Sequence, residues 1–224
     1  MNMRTRIIYG LCMLLAANCG LAQNITISAG ENIQTDIIQN EINEEELLAS
    51  MSIEEKIAQM FFITPEALTG SGPVTEAGAL TEESFGQYPV GGIIYFRENM
   101  ESRQQLTSML NHMQEISKER TGLPVFLGVD EEGGRVTRVY GSSITDIPYV
   151  EDMYSIGNSL DPQLAYNAGN TIGCYLKDLG FNVDFAPVAD IFTNPVNTVI
   201  GDRAFGSTAE TASEMVPMCT RGLQ

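Results

Sequence analysis

The sequence predicts an α/β protein whose strands are parallel and mostly buried. Residues 60–64 have the β-rich composition of a strand, and three further apolar runs that do not alternate have the composition of strands covered on both faces: residues 90–96, 124–130 and 182–188. Amphipathic helical patterns separate the last three runs. Strands that alternate with helices at a spacing of about thirty residues or more are usually joined in parallel. Both a doubly wound sheet and a (β/α) barrel fit this order.

The two longest helices are predicted from apolar periodicity. Residues 102–122 place leucine, methionine and isoleucine at steps of three and four, and the pattern ends at a glycine. Residues 161–180 repeat this design, with Asp161 as N-cap, Pro162 at the first helical position and again a final glycine. Each segment therefore predicts a helix that connects two neighbouring strands.

Helices are also predicted near both ends of the fold. An acidic helix starts near Asn43, and Ser52 with Glu55 has the spacing of a capping box. Pro217 falls inside the last helical pattern, where it removes a backbone hydrogen bond. We therefore expect a kink or an early helix stop near Met215.

The cysteines and the histidine predict no metal site. Cys12 and Cys19 lie in the N-terminal apolar region, whereas Cys174 and Cys219 lie in helical patterns without paired spacing. The latter two are predicted to be small buried residues, with neither a disulfide framework nor a zinc site. The only histidine, His112, lies mid-helix and is predicted to be a structural or surface residue.

Residues 1–22 have the pattern of a secretory signal peptide. Two arginines precede an apolar run that is too short to span a bilayer, and a small-x-small site precedes Gln23. Lipidation of Cys19 is the alternative, although Asn18 is a poor residue at the position before it. Residues 23–43 are predicted to form a flexible leader. The expected location is secreted or cell-surface.

The charge of the chain restricts its partners. Removing the signal takes away two of the 12 basic residues and none of the 29 acidic ones, which changes the net charge from −17 to −19. Such a surface repels nucleic acid and anionic lipid, and it suits a neutral or small substrate. No glycine-rich phosphate loop follows any predicted strand, which disfavours a nucleotide-binding fold. The sequence predicts no oligomeric state.

Polar residues follow the third predicted strand at its carboxyl end. Asp130 ends this run, and Gly133 and Gly134 allow a tight turn or a close approach of the backbone to a ligand. Arg135 and Arg138 come next. A carboxylate acceptor and a forked arginine donor suit the vicinal hydroxyls of a sugar. The alternative is that these charges pair with one another and only stiffen a surface loop.

The fourth predicted strand repeats this chemistry. Asp190 is predicted at the end of this strand, and the polar loop that follows carries Asp202 and Arg203. Two successive strand ends with carboxylates and arginines favour a ligand site over a stiffened loop. A second possibility is a magnesium site, if Asp130, Asp190 and Asp202 converge on one ion.

The sequence resembles a known family. Four segments carry the resemblance, in the family's order: residues 90–96, 124–138, 179–191 and 197–207. They are similar to the N-terminal barrel domain of glycoside hydrolase family 3, and most closely to its bacterial β-N-acetylhexosaminidases. The resemblance implies the N-terminal half of a (β/α)8 TIM-type barrel, with residues 44–224 as a domain incomplete at its C-terminus. It also implies hydrolysis with retention through a covalent glycosyl-enzyme, without a metal or other cofactor.

The resemblance implies a substrate and binding residues. The substrate is a β-linked oligosaccharide from chitin or peptidoglycan, from which terminal N-acetylglucosamine is removed. Asp130 accepts hydrogen bonds from sugar hydroxyls, and Arg138 and Arg203 donate to them. Glu132 and Arg135 brace the loop by pairing. Asp190 orients the loop after the fourth strand.

The family's catalytic segments have no match in this sequence. Retaining hydrolysis needs a nucleophile and an acid/base group. The family uses an aspartate and a histidine–aspartate pair, and the resemblance places both beyond residue 224. The chain alone is therefore expected to bind sugar poorly and to be inactive. Four strands of a barrel are also expected to leave two unpaired edges and an uncovered apolar interior.

Two other functions stay open from the sequence. A β-glucosidase of the same family is the nearest alternative, although its members carry other loops after the fourth strand than NTVIGDRAFGS at 197–207. The second is a carbohydrate-binding protein that keeps the sugar contacts and has lost the chemistry.

Overall fold

The structure, a computed structural model, describes residues 43–224. The predicted signal peptide, residues 1–22, lies outside this part, as does all but the last residue of the predicted leader, 23–43. Among the described helices, none combines the length and apolarity needed to cross a bilayer.

One parallel sheet organises the described residues. Its strands are β1 (Phe62–Ile63), β2 (Gly92–Ile94), β3 (Phe126–Val129) and β4 (Val183–Asp184). They are hydrogen-bonded in sequential order, and every pair is parallel. The register aligns Ile93 with Ile63 on one side and with Leu127 on the other. Sequential parallel strands are the order in which a barrel is built, and the prediction of a parallel α/β fold is confirmed.

Helices lie between and around these strands. Their bounds are α1 (Glu44–Ser50), α2 (Ile53–Ala58), α3 (Pro65–Thr69), α4 (Ala79–Gln87), α5 (Arg103–Thr121), α6 (Met153–Asn158), α7 (Pro162–Leu179) and α8 (Ala209–Leu223). Single 3-10 turns span Arg97–Asn99 and Gly201–Arg203. Helices α1, α2, α5, α7 and α8 were predicted from the sequence, whereas α3, α4 and α6 were not.

The predicted caps are present at the helix ends. Ser52 Oγ accepts from the Glu55 N–H at 3.1 Å, and the Glu55 carboxylate accepts from the Ser52 N–H at 3.0 Å. The Asp161 side chain accepts from the Gln163 N–H at 3.0 Å at the start of α7. Helix α5 ends at Gly122, whose φ of +74° is the left-handed conformation that glycine adopts readily. Local sequence therefore sets where these helices begin and end.

The centre of the sheet is buried and its first strand is not. Ile93 in β2 and Leu127 and Val129 in β3 are no more than 1% exposed. Phe62 in β1 remains 40% exposed, although its ring packs against Phe126 and Phe185 with centroids 5.9 and 5.4 Å away. The expectation that the strands at 90–96, 124–130 and 182–188 are covered on both faces thus holds for β2 and β3, whereas both residues of β4 are only partly buried.

Helix α8 continues through its proline. The expected early stop near Met215 is wrong, because the helix is unbroken from Ala209 to Leu223 with Pro217 inside it. Met215 and Cys219, on either side of the proline, are fully buried. Burial of this apolar face outweighs the loss of one hydrogen bond at Pro217.

The two cysteines of the described region differ in exposure. Cys219 is buried as predicted, but Cys174 is exposed, so the expectation that both are buried is wrong. Cys174 lies next to Tyr175 on α7, and only the face that carries Tyr175 points into the core. His112 is an exposed residue in the middle of α5, in agreement with its predicted structural or surface position.

Helices α7 and α8 touch through their backbones. A Cβ atom added to Gly169 of α7 would lie 2.1 Å from the Cys219 carbonyl oxygen of α8. One added to Gly222 of α8 would lie 2.2 Å from the Tyr166 carbonyl oxygen of α7. These distances leave no space for a side chain, so the close contact requires glycine at both positions.

Candidate active site

The chain turns sharply just after β3. Asp130 follows the last residue of the strand, as predicted. Gly133 and Gly134 have φ values of +87° and +55°, and Gly133 forms an isolated antiparallel bridge with Val136. A Cβ atom on Gly134 would lie 2.7 and 2.8 Å from Cβ and Cα of Asp152. The two glycines therefore make a tight turn against the cap of α6.

Asp130 and Arg138 form an ion pair at the carboxyl end of β3. Arg138 Nη2 donates to Asp130 Oδ2 at 3.1 Å, and each side chain is about a quarter exposed. The Arg138 guanidinium also lies over the ring of Phe96, 5.4 Å from its centroid. Because Phe96 follows β2, residues after two neighbouring strands fix the orientation of one arginine.

Arg203 is held by a forked ion pair with Glu132. Its Nε and Nη2 donate to the two Glu132 oxygens at 2.8 and 2.7 Å, and Glu132 is 4% exposed. The hydrogen bonds to Glu132 raise the pKa of Arg203 above its ordinary value, and the charges of Asp130 and Asp190 act in the same direction. Arg203 thus lies within electrostatic reach of Asp130, although no direct hydrogen bond joins them.

Arg135 ties the loop after β4 to the loop after β3. Its Nη2 donates to the backbone carbonyls of residues 198–200 at 2.8 to 3.0 Å, and its Nε donates to Asp202. Both side chains of this ion pair are nearly half exposed. Glu132 and Arg135 therefore brace the loops by pairing, as predicted, with Arg203 and Asp202 as their partners.

A buried carboxylate organises the loop that carries Arg138. Glu131 is fully buried and accepts from the backbone N–H groups of Arg138, Val139 and Tyr140 at 2.6, 2.8 and 3.0 Å. Its fourth bond comes from the Tyr175 hydroxyl of α7 at 2.9 Å. Burial raises the pKa of Tyr175, and the Glu131 charge raises it further. The Arg138 segment is thereby fastened to a helix of the core.

Asp184 lies beside this carboxylate at the end of β4. Its Oδ1 accepts from the Glu131 N–H at 2.9 Å, whereas its Oδ2 is buried and bonded to none of the described residues. Burial raises the pKa of Asp184 to about 8, and the nearby negative charges of Glu131, Asp130 and Glu132 contribute. Asp184 is therefore a carboxyl group that keeps its proton near neutral pH.

Strand β4 is shorter than the sequence predicted. It ends at Asp184 and not near residue 188, so Asp190 lies beyond the strand and not at its end. The Phe185 N–H still donates to the Val129 carbonyl at 2.9 Å, but Pro187 has no N–H with which to continue the ladder. The carboxylate at the strand end is Asp184, which the sequence did not single out.

The structure does not assemble the alternative magnesium site. Asp130 and Asp202 are each paired with an arginine, which supplies the positive charge that a metal would bring. In the part of the chain from 43 to 224, no three histidine, cysteine, aspartate or glutamate side chains are grouped so as to hold a metal ion. The candidate site consists of ion pairs.

A cavity of about 190 Å³ lies elsewhere in the fold. Its lining includes Gln59, Pro89 and Thr121, each of which precedes a strand of the sheet. The cavity is therefore near the amino ends of the strands. Ligands of parallel α/β folds bind at the carboxyl ends, where Asp130 and Arg138 are found.

Fold and site together define a protein of the α/β-barrel type with its polar cluster at the carboxyl ends of the strands, where such barrels carry their active sites. Residues 52–224 match the family model described as the glycosyl hydrolase family 3 N-terminal domain. The chain belongs to this family, and the resemblance predicted from the sequence is confirmed.

Known relatives agree with this assignment. The chain is 34% identical to β-hexosaminidase A of Pseudoalteromonas piscicida over 137 residues, which cover 59% of this chain and 22% of that protein. It is also 34% identical to a β-hexosaminidase of Bordetella avium over 167 residues, with coverage of 70% and 46%. The chain thus spans less than half the length of these curated relatives.

A solved structure supports the predicted fold. The family 3 β-N-acetylglucosaminidase of Paenibacillus sp. FPU-7 aligns with a TM-score of 0.68 at 33% identity. The alignment covers 78% of this chain and 31% of that enzyme. The prediction of the N-terminal half of a TIM-type barrel is confirmed.

Three residues of the site were not predicted from the sequence: Glu131, Asp184 and Phe96. For Asp184 a signal exists, because an acid inside an apolar run that predicts a buried strand needs a partner or a proton. Glu131 stands between two acids in a charged stretch, where nothing local separates the buried carboxylate from the exposed ones. Phe96 ends an apolar strand run and looks like part of the core.

Proposed function

We propose that the whole protein to which this chain belongs is an exported β-N-acetylglucosaminidase. Its substrate is a β-linked oligosaccharide from chitin or peptidoglycan, from which it removes the terminal N-acetylglucosamine. Membership of family 3 and the names of the relatives support the reaction class. The single observation that carries the sugar site is the Asp130–Arg138 pair, a quarter exposed at the carboxyl end of β3.

Three side chains are proposed to grip the non-reducing sugar. Asp130 keeps acceptor capacity for hydroxyl groups, since the Arg138 contact uses one of its two oxygens. Arg203 uses three of its five N–H groups on Glu132 and on the Val199 carbonyl, which leaves two for a ligand. Asp130 pairs with one forked donor, Arg138, and lies within electrostatic reach of a second, Arg203, which suits the neighbouring hydroxyls of a pyranose ring.

Bond cleavage is proposed to use groups outside this chain. Retention requires a nucleophile on one side of the sugar and an acid/base group on the other. His112, the only histidine of the sequence, lies on the exposed face of α5 and not at a strand end. We therefore assign the histidine–aspartate pair and the nucleophilic aspartate to segments that residues 1–224 do not include.

Hydrolysis of 4-nitrophenyl N-acetyl-β-D-glucosaminide by the complete gene product tests the proposal. The expected result is a kcat/KM well above that for the matching glucoside, with the β-anomer as the first product in an NMR time course. Asp130→Asn is expected to lower kcat/KM by about tenfold or more, because a charged hydrogen-bond acceptor is lost. The exposed Asp178→Asn is the control and should leave kcat/KM unchanged.

Other outcomes point to the remaining functions. Equal or faster cleavage of the glucoside would indicate a β-glucosidase. Calorimetric binding of N-acetylglucosamine without any hydrolysis would indicate a carbohydrate-binding protein.

Export is proposed from residues 1–22 and is tested separately. Sequencing the N-terminus of protein recovered from the culture medium should give Gln23 as the first residue. A lipid-modified Cys19 in the membrane fraction would indicate a lipoprotein, and an intact N-terminus in the cytoplasm would refute export.

A further inference from the structure

The carboxyl groups of Glu131 and Asp184 belong to neighbouring residues beside the proposed sugar site, but they differ in the number of hydrogen-bond donors around them. Glu131 accepts four bonds, from three backbone N–H groups and one hydroxyl. Asp184 accepts one bond, from the Glu131 N–H, and its Oδ2 is buried without a hydrogen bond to the described residues. Donors stabilise an ionised carboxylate, whereas burial without donors favours the neutral acid. The surroundings therefore assign the negative charge to Glu131.

The charges that act on the pKa of Asp184 are negative ones, those of Glu131, Asp130 and Glu132. The titratable groups that act on it come from the loop after β3, from α7 and from α8, and they are Asp130, Glu131, Glu132, Tyr175 and Cys219. The arginines of the site form ion pairs with other carboxylates, Arg138 through Nη2 with Asp130 and Arg203 with Glu132, although the buried Nε of Arg138 has no hydrogen bond to the described residues. Ionising Asp184 would thus place a second buried charge beside Glu131.

We propose that Asp184 is a positioning residue whose proton keeps Glu131, and through it the Arg138 segment, in the sugar-binding arrangement. This inference rests on the proposed function, because it concerns how the same site is held in place. Glu131 accepts from the backbone N–H of Arg138, so a displacement of Glu131 moves the arginine that contacts Asp130. Repulsion between two buried carboxylates would produce that displacement.

The direction of the pH effect follows from the raised pKa. Burial raises the pKa of Asp184 to about 8, above its ordinary value of 3.8. The folded state therefore holds the proton more tightly than the unfolded chain does. The resulting stabilisation is fully present below about pH 4 and is lost as the pH rises through about 8. Sugar affinity is expected to fall over the upper end of the same range, where the folded protein itself loses the proton.

Calorimetry with N-acetylglucosamine on the complete gene product tests whether protonation of Asp184 controls sugar affinity. The wild-type protein should lose affinity by about tenfold between about pH 7 and pH 9.5, which corresponds to a shift of about one pKa unit on binding. Asp184→Asn keeps the acceptor for the Glu131 N–H and cannot ionise, so its affinity should stay constant over this range. Asp178→Asn, an exposed change on α7, should follow the wild type. A variant Asp184→Asn that falls in parallel with the wild type would overturn the proposal.

Urea unfolding without ligand provides the second measurement. The midpoint for the wild type should decrease between about pH 5 and pH 9 relative to that for Asp184→Asn. If the variant does not fold, the wild-type measurements are sufficient. A midpoint that stays constant from about pH 5 to pH 9 would then refute the proposed protonation of Asp184. If no pH yields sugar binding but the two unfolding curves still diverge, the proposed function fails and the proton on Asp184 remains supported.

Discussion

The loops after β3 and β4 carry similar residues but are anchored in different ways. The loop after β3 is held from within by Glu131, which is fully buried and accepts four hydrogen bonds. The loop after β4 is held by Arg135, which is nearly half exposed and donates to the backbone carbonyls of residues 198–200 at the surface. Water competes for the second set of contacts and not for the first. The same types of charged group therefore give a rigid loop in one case and a weak tether in the other.

This difference determines which sugar contacts are preorganised. Asp130 and Arg138 belong to the rigid loop. Arg203 belongs to the loop after β4, but its partner Glu132 is a buried residue of the loop after β3. The loop after β3 thus positions Arg203, although Arg203 itself lies in the loop after β4. Changes that loosen the first loop are expected to disturb all three residues.

The largest effect is expected for Glu131→Gln. An amide presents an NH₂ group to at least one of the backbone N–H donors that now bind a carboxylate, and it removes the charge that strengthens every bond. We expect a loss of roughly 2–4 kcal/mol in the free energy of unfolding. Urea unfolding measures it, with the exposed Glu119→Gln on α5 as the control. Equal stabilities would show that Glu131 does not hold the loop.

A smaller effect is expected for Gly134→Ala. The residue has a φ of +55°, and a Cβ atom would lie 2.8 Å from Cα of Asp152, which is backbone and cannot rotate away. Strain and displacement of the α6 cap should cost roughly 2 kcal/mol. Gly86→Ala, in α4, has free space around its Cβ and should be neutral or stabilising. Similar thermal midpoints for the two variants would contradict the tight-turn explanation.

Tyr175→Phe should cost about 1 kcal/mol. It removes one of the four bonds to Glu131 and keeps the aromatic packing of α7. Because the three backbone bonds stay, sugar affinity should change much less than in Glu131→Gln. A loss equal to that of Glu131→Gln would mean that the helix contact alone positions the loop.

Arg135→Ala is expected to have the smallest effect on stability, less than about 1 kcal/mol, because its contacts are exposed. Raising the salt concentration from about 0.1 M to about 1 M should remove much of the difference from the wild type. A large loss that is insensitive to salt would mean that the two loops do not differ in the way described. The measurement is urea unfolding at both salt concentrations.

Local sequence was sufficient for the long helices and for the position of the strands. Helices α5 and α7 were predicted because apolar periodicity and residues such as Asp161 and Gly122 mark their bodies and ends. Strand positions were correct, but their lengths were overestimated, since an apolar run continues beyond the hydrogen-bonded ladder. Short helices such as α3 and α6 lack a full period and could not be recognised.

The site was predictable only where its signal is local. Asp130 follows a strand in the sequence and follows it in the structure. The pair between Glu132 and Arg203 joins residues 71 positions apart, and the choice of Glu131 as the buried acid depends on where α7 packs. Partners of this kind are set by the tertiary fold, so the stretch 130–132 alone does not distinguish a ligand-binding acid from a bracing one.

The glycine contact between α7 and α8 bears on the proposal for Asp184, because it fixes the last helix near this carboxyl group. Burial raises the pKa of Cys219, at this contact, to about 12, and Asp184 is the other group that acts on this thiol, so α8 lies near the region in which Asp184 is held. Under the proposal for Asp184, docking of α8 and protonation of Asp184 are thermodynamically linked. Separating α8 from α7 would hydrate the carboxyl group and release its proton, and alkaline conditions would in turn favour undocking. A side chain at position 169 would push the two helices apart and is therefore expected to lower the pKa of Asp184.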